Sequence, residues 1–162
     1  MQKPKAVLFD LDGTLLPMDQ DEFTGYYFGR LCAKAAPRGY EAEKLVATIW
    51  KGTAAMMKND GSVTNEEAFW NHFASVHGEE KLADKPVFDE FYANEFEDAK
   101  ASCGFNPAAV EAVRELKAMG LRVTLATNPI FPETAQLKRI RWAGFEPEDF
   151  EFHASYETAR HA

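Results

Sequence analysis

A short apolar run, Ala6-Val7-Leu8-Phe9, leads straight into Asp10-Leu11-Asp12-Gly13-Thr14. Four consecutive apolar residues read as a strand buried on both faces, the pattern of a parallel sheet. Gly13 then allows the backbone to bend without a Cβ penalty. In parallel α/β sheets, ligands bind just beyond the carboxyl ends of the strands. Asp10 and Asp12 therefore stand where chemistry is expected. Two carboxylates separated by a single residue repel each other, so a pair kept at a strand end suggests a bound cation. The same residue types also serve an ordinary solvated turn, and Asp-x-Asp-Gly alone does not separate the two readings.

Beyond Leu16 the pattern changes. Pro17-Met18-Asp19-Gln20 reads as a linker, and four helical stretches follow before Gly104. Phe23, Tyr26, Tyr27 and Leu31 share one helical face, with Leu45, Ile49, Thr53, Met56 and Met57 marking a second. Asn59-Asp60-Gly61-Ser62 is a turn signal, and Thr64 with Glu67 has capping-box spacing. The helix so opened carries Phe69, Phe73 and Val76 and stops at Gly78. Asp84-Lys85-Pro86 starts a fourth, with Phe88, Phe91, Tyr92 and Phe96 as its apolar side. Four amphipathic helices with no strand between them predict a small bundle. Phe23, Tyr26 and Tyr27 are candidates for lining a substrate pocket as well as for bundle core.

The α/β pattern resumes near Phe105. Asn106-Pro107 is a good helix start and Gly120 a good stop. Leu121 to Ala126 reads as a second buried strand and Thr127-Asn128-Pro129 ends it. A helix is expected from about Glu133 to Ala143, and a third strand over Phe150 to Ala154. Strand, helical insertion, helix, strand, helix, strand is a doubly wound α/β core interrupted after its first strand.

The string from Ala6 to Leu16 closely resembles the first signature motif of the haloacid-dehalogenase-like (HAD) superfamily, an apolar strand followed by Asp-x-Asp-Gly-Thr-Leu. That resemblance implies a Rossmann-like core over residues 1–16 and 105–162 with three strands present and incomplete, interrupted by an α-helical cap over 17–104. It implies that Asp10 is the nucleophile and takes up a phosphoryl group, and that Asp12 is the general acid/base. It further implies Mg²⁺ between the Asp10 side chain and the Asp12 backbone carbonyl. An Asp two residues after the nucleophile is similar to the phosphatase and phosphomutase branch. Val123-Thr124-Leu125-Ala126-Thr127-Asn128 resembles the second motif, which implies phosphate binding by Thr127 and the Asn128 backbone N–H. The expected activity is hydrolysis of a small organic phosphomonoester through an aspartyl phosphate. A sugar-phosphate mutase and a catalytically impaired fragment are the alternatives.

The family pattern also calls for a Lys after the third strand and then an acidic pair. Ser155 to Ala162 contains neither, and Arg160 presents a fork where Lys presents a compact charge. Loss of one preorganised charge donor typically costs about 2.7–4 kcal/mol of transition-state stabilisation. The expectation is therefore a longer protein, or a first strand left as an uncovered edge that invites self-association. A net charge of -8 gives no electrostatic support to a nucleic-acid or anionic-membrane partner. Cys32 and Cys103 are far apart in sequence, as expected for unpaired thiols in a reducing cytoplasm, and no run approaches a membrane span. The four histidines, His72, His77, His153 and His161, have no ligand spacing and are expected to be structural.

Overall fold

The computed structural model describes residues 4–162. Two strands, β1 (Ala6–Phe9) and β2 (Arg122–Leu125), pair in parallel, with Val7 opposite Val123 and Phe9 opposite Leu125. Parallel pairing requires a long crossover. Here that crossover carries α1 (Gln20–Ala35), α2 (Ala42–Met57), α3 (Asn65–His77), α4 (Lys85–Ala93) and α5 (Pro107–Ala118). After β2 comes α6 (Glu133–Trp142), and short 3₁₀ turns fill several of the connections.

The starts of these helices follow local chemistry. Asp19 caps α1 by accepting from the N–H groups of Asp21 and Glu22, and Asn106 caps α5 through Ala108 N–H. At α3 the Thr64–Glu67 capping box forms in both directions. Helices α1 to α4 meet around aromatic side chains. Phe23, Tyr27, Phe91 and Phe96 make one cluster and Phe69, Trp70, Phe73 and Phe88 another. Phe96 belongs to the 3₁₀ segment Glu95–Ser102, packed on α1, and not to α4. Tyr26 and Met57, expected on apolar faces, are exposed.

Three expectations about the strands are corrected. β1 is not buried on both faces: Leu8 is 65% exposed, because β2 is the only strand beside it among the described residues. β2 alternates exposed and buried positions, with Val123 and Leu125 inward and Arg122 outward. Residues 150–154 form no third strand. They follow the far edge of β2 for two hydrogen bonds, Glu151 N–H to Val123 C=O (2.9 Å) and Leu125 N–H to Phe152 C=O (3.0 Å). Phe150 turns inward against Phe145, and Tyr156 N–H donates to Phe131 C=O, which draws the chain off the sheet edge.

From Ser155 onward the chain lies on α3. Asn65 N–H donates to Ala159 C=O and Glu66 N–H to Tyr156 C=O. The fully buried Asn65 amide donates to the carbonyls of Pro129 and His161 and accepts from Asn59. One side chain thus ties α3, the loop after β2 and the C-terminal segment together. The two crossings between sheet and helices also run side by side: Gly104 N–H donates to Pro17 C=O (2.7 Å) and Asp19 N–H to Ser102 C=O (3.2 Å).

Candidate active site

At the end of β1 the backbone closes a tight turn. Leu16 N–H donates to Leu11 C=O and Gly13 N–H to Leu16 C=O, both at 2.8 Å. Gly13 has a φ of 79°, a conformation that a side chain would strain. Leu11, Leu15 and Leu16 are buried under the turn and anchor it. This pins the two carboxylates in different surroundings. Asp10 is exposed, and its Oδ2 accepts from the Thr14 hydroxyl at 3.1 Å. Thr14 therefore orients the Asp10 carboxylate.

Asp12 faces inward, with 24% of its side chain exposed. Its Oδ2 accepts from Nη1 of Arg139, a guanidinium only 1% exposed and reaching over from α6. Arg139 also donates to Gln136 Oε1 at 2.5 Å and lies 4.3 Å from the centre of the Phe131 ring. Burial is the main influence on the Asp12 carboxyl and raises its pKa above the ordinary 3.8; Arg139 opposes this and the charge of Asp10 reinforces it. Three buried polar atoms, Asp12 Oδ1, Arg139 Nε and Gln136 Nε2, have no hydrogen-bond partner among the described residues.

Beside this pair the parallel ladder continues past β2, since Ala126 N–H donates to Phe9 C=O at 2.7 Å. Thr127 and Asn128 follow at the same end of the sheet as Asp10, Thr127 buried and Asn128 exposed. Arg160 stays away from the carboxylates, donating to the carbonyls of Gly61 and Ser62. His77 accepts or donates to Thr48, and His161 contacts the Asn59 carbonyl.

No group of three or more His, Cys, Asp or Glu side chains is arranged to hold a metal among the described residues. A hard cation such as Mg²⁺ commonly uses only one or two carboxylates, with water and phosphate oxygens completing its shell. The exposed Asp10 carboxylate, which holds one hydrogen bond, is an oxygen donor that fits this minimal mode, with the Asp12 backbone carbonyl as the second oxygen that the family resemblance implies.

Arg139 and Gln136 are the residues that sequence reasoning passed over. Their signal was there: they sit three apart on the same side of α6 as Ala135, Ile140 and Trp142, which are buried. A helix whose inward face includes an Arg must have a counter-charge waiting.

The model of the haloacid dehalogenase-like hydrolase family matches residues 4–157. A two-stranded parallel sheet with acidic residues at its carboxyl end, under helices, is thus the framework of a hydrolase, and the chain belongs to the haloacid dehalogenase-like hydrolase family. No curated protein matches it. No helix among the described residues is long and apolar enough to cross a membrane.

Proposed function

We propose that this chain is a phosphatase of small organic phosphomonoesters, working through an aspartyl phosphate on Asp10, with α1 to α4 acting as a cap over the site. The observation that carries this reading is the contrast between two carboxylates two residues apart. Asp10 is exposed and steadied by Thr14, as a nucleophile must be. Asp12 is partly buried, raised in pKa and left with an unpartnered Oδ1, as suits a group that must hold a proton and release it.

In the first step an Asp10 oxygen bonds to phosphorus as the bond from phosphorus to the ester oxygen breaks. Asp12 passes its proton from Oδ1 to the departing oxygen, so that an alcohol leaves and not an alkoxide. In the second step water attacks phosphorus and Asp12 takes back a proton. Inorganic phosphate departs and the Asp10 carboxylate is restored. Thr127 and the Asn128 N–H are the proposed donors to the phosphoryl oxygens. Arg139 fixes Asp12 from behind and keeps it from drifting toward Asp10. Mg²⁺, held by the Asp10 carboxylate and the Asp12 carbonyl, would offset the charge of the incoming phosphate dianion.

The test is hydrolysis of p-nitrophenyl phosphate with and without Mg²⁺, in the unaltered chain and in Asp10→Asn. Release of p-nitrophenol that depends on Mg²⁺ and is lost in Asp10→Asn is expected. Unchanged turnover in Asp10→Asn would remove the proposed nucleophile.

A further inference from the structure

Asp12 forms part of the wall of a cavity of ≈ 190 Å³ that runs between α1, α2, α3 and α4. Eighteen of the described residues line it, and among them Asp12 alone has a charged side chain. Most of the remainder are aromatic or aliphatic, with Trp50, more than half exposed, near the rim.

Most polar side chains in this wall already hold a hydrogen-bond partner. The Tyr27 and Tyr92 hydroxyls share a hydrogen bond of 2.8 Å, and Trp70 Nε1 donates to the Tyr156 hydroxyl at 3.5 Å. The Thr24 hydroxyl donates to Gln20 C=O and the Thr53 hydroxyl to Ile49 C=O, each within its own helix. Even the Gln20 amide is turned back onto the Met18 sulfur. A guest in this cavity would meet apolar surface and few open donors or acceptors. Among the described lining residues, Asp12 is the one with a buried side-chain oxygen, Oδ1, that has no hydrogen-bond partner, so it marks the point where the cavity meets the carboxylate pair.

We infer that the cavity receives the leaving group of the substrate, and that this group is uncharged, apolar and about the size of one substituted ring. The inference rests on the phosphatase reading and adds the substrate class to it. The size argument is direct, since an apolar cavity of roughly 150 Å³ is enough to hold benzene. The chemical argument is one of exclusion. A polyol such as glycerol or a sugar would bury hydroxyls against groups already paired, and each unpaired hydroxyl costs about tenfold to a hundredfold in binding. An aryl or benzyl group loses nothing there and gains stacking contact with the ring-lined wall.

The experiment compares kcat/KM for phenyl phosphate and glycerol 3-phosphate, and separately titrates benzyl alcohol into the full chain while following tryptophan fluorescence. Trp50 and Trp70 both line the cavity, so an alcohol seated there changes their emission without any turnover. Phenyl phosphate is expected to be favoured by at least about a hundredfold. Thr53→Trp, which fills the cavity from α2, is expected to reduce that ratio at least about tenfold and to abolish the benzyl alcohol response, with Thr24→Phe filling it from α1 as the second variant. Equal use of the two esters, or no fluorescence response to benzyl alcohol, would overturn the inference. Failure to hydrolyse any ester while benzyl alcohol still binds would overturn the phosphatase reading instead, and leave the apolar pocket in place.

Discussion

Replacing Arg139 with Met tests the central electrostatic contact of the structure. The guanidinium is almost wholly buried, so the change removes a charge that cannot be replaced by water. Breaking a buried pair by deleting one partner costs about 3–5 kcal/mol, and the partial exposure of Asp12 argues for the lower end. At about 3 kcal/mol, a chain of this size should lose roughly 6–12 °C in Tm. The pH dependence is the sharper readout. Burial already raises the Asp12 pKa, and Arg139 is the influence that holds it down. In Arg139→Met the folded-state pKa of Asp12 rises further. A carboxyl with a raised folded pKa contributes stability fully present below its unfolded value, near 3.8, and lost as pH climbs through the folded pKa. The deficit of Arg139→Met relative to the unaltered chain should therefore be larger at pH 8 than at pH 4.5. Adding Asp12→Asn removes the stranded charge, and the double variant should regain stability at pH 8. Urea unfolding at both pH values decides the matter. A deficit of equal size at both, with no recovery in the double variant, would show that Asp12 is not what Arg139 supports.

Gly52→Ala on α2 would put a Cβ 2.6 Å from the Phe69 ring, within the aromatic packing of α2 on α3. A loss of about 1–3 kcal/mol in urea unfolding is expected from this overpacking. Thr64→Ala removes the side-chain half of the α3 capping box and should cost about 1 kcal/mol by the same measurement.

Much of the architecture was legible because it is written in local chemistry. The helix starts at Asp19, Thr64 and Asn106 are short-range hydrogen-bonding devices, and a short-range signal survives folding unchanged. The strands were read less well. Ala6–Phe9 is apolar throughout, yet apolar composition does not make its own cover, and Leu8 stays in solvent. Phe150 to Ala154 has strand character, but the inward turn of Phe150 and the hold of Phe131 on Tyr156 are tertiary facts without a local signature. The same limit applied to the site. Asp10, Asp12, Thr127 and Asn128 stood out because two strand ends announce them. Arg139 did not, because its partner is 127 positions away and only the crossover brings the two together.

Arg139 brings a cation to the carboxylate pair from a different element than the strand-end motifs imply. The family resemblance places a cation beyond the third strand, and Arg160 is the cation that Ser155 to Ala162 carries. Arg160 is occupied with the carbonyls of the turn before α3, whereas α6 delivers a guanidinium to the buried side of Asp12. A cation there cannot do the work of one placed beside the incoming phosphate, since it approaches Asp12 and leaves the exposed Asp10 to solvent. What it does is divide the two carboxylates. With Oδ2 held by Arg139, only Oδ1 of Asp12 remains to carry a proton, on a residue that lines the apolar cavity. On the proposed reading the pair is therefore not a generic stabilising contact. It selects which oxygen of Asp12 meets the leaving group, and it does so from a helix that the strand-end motifs never mention.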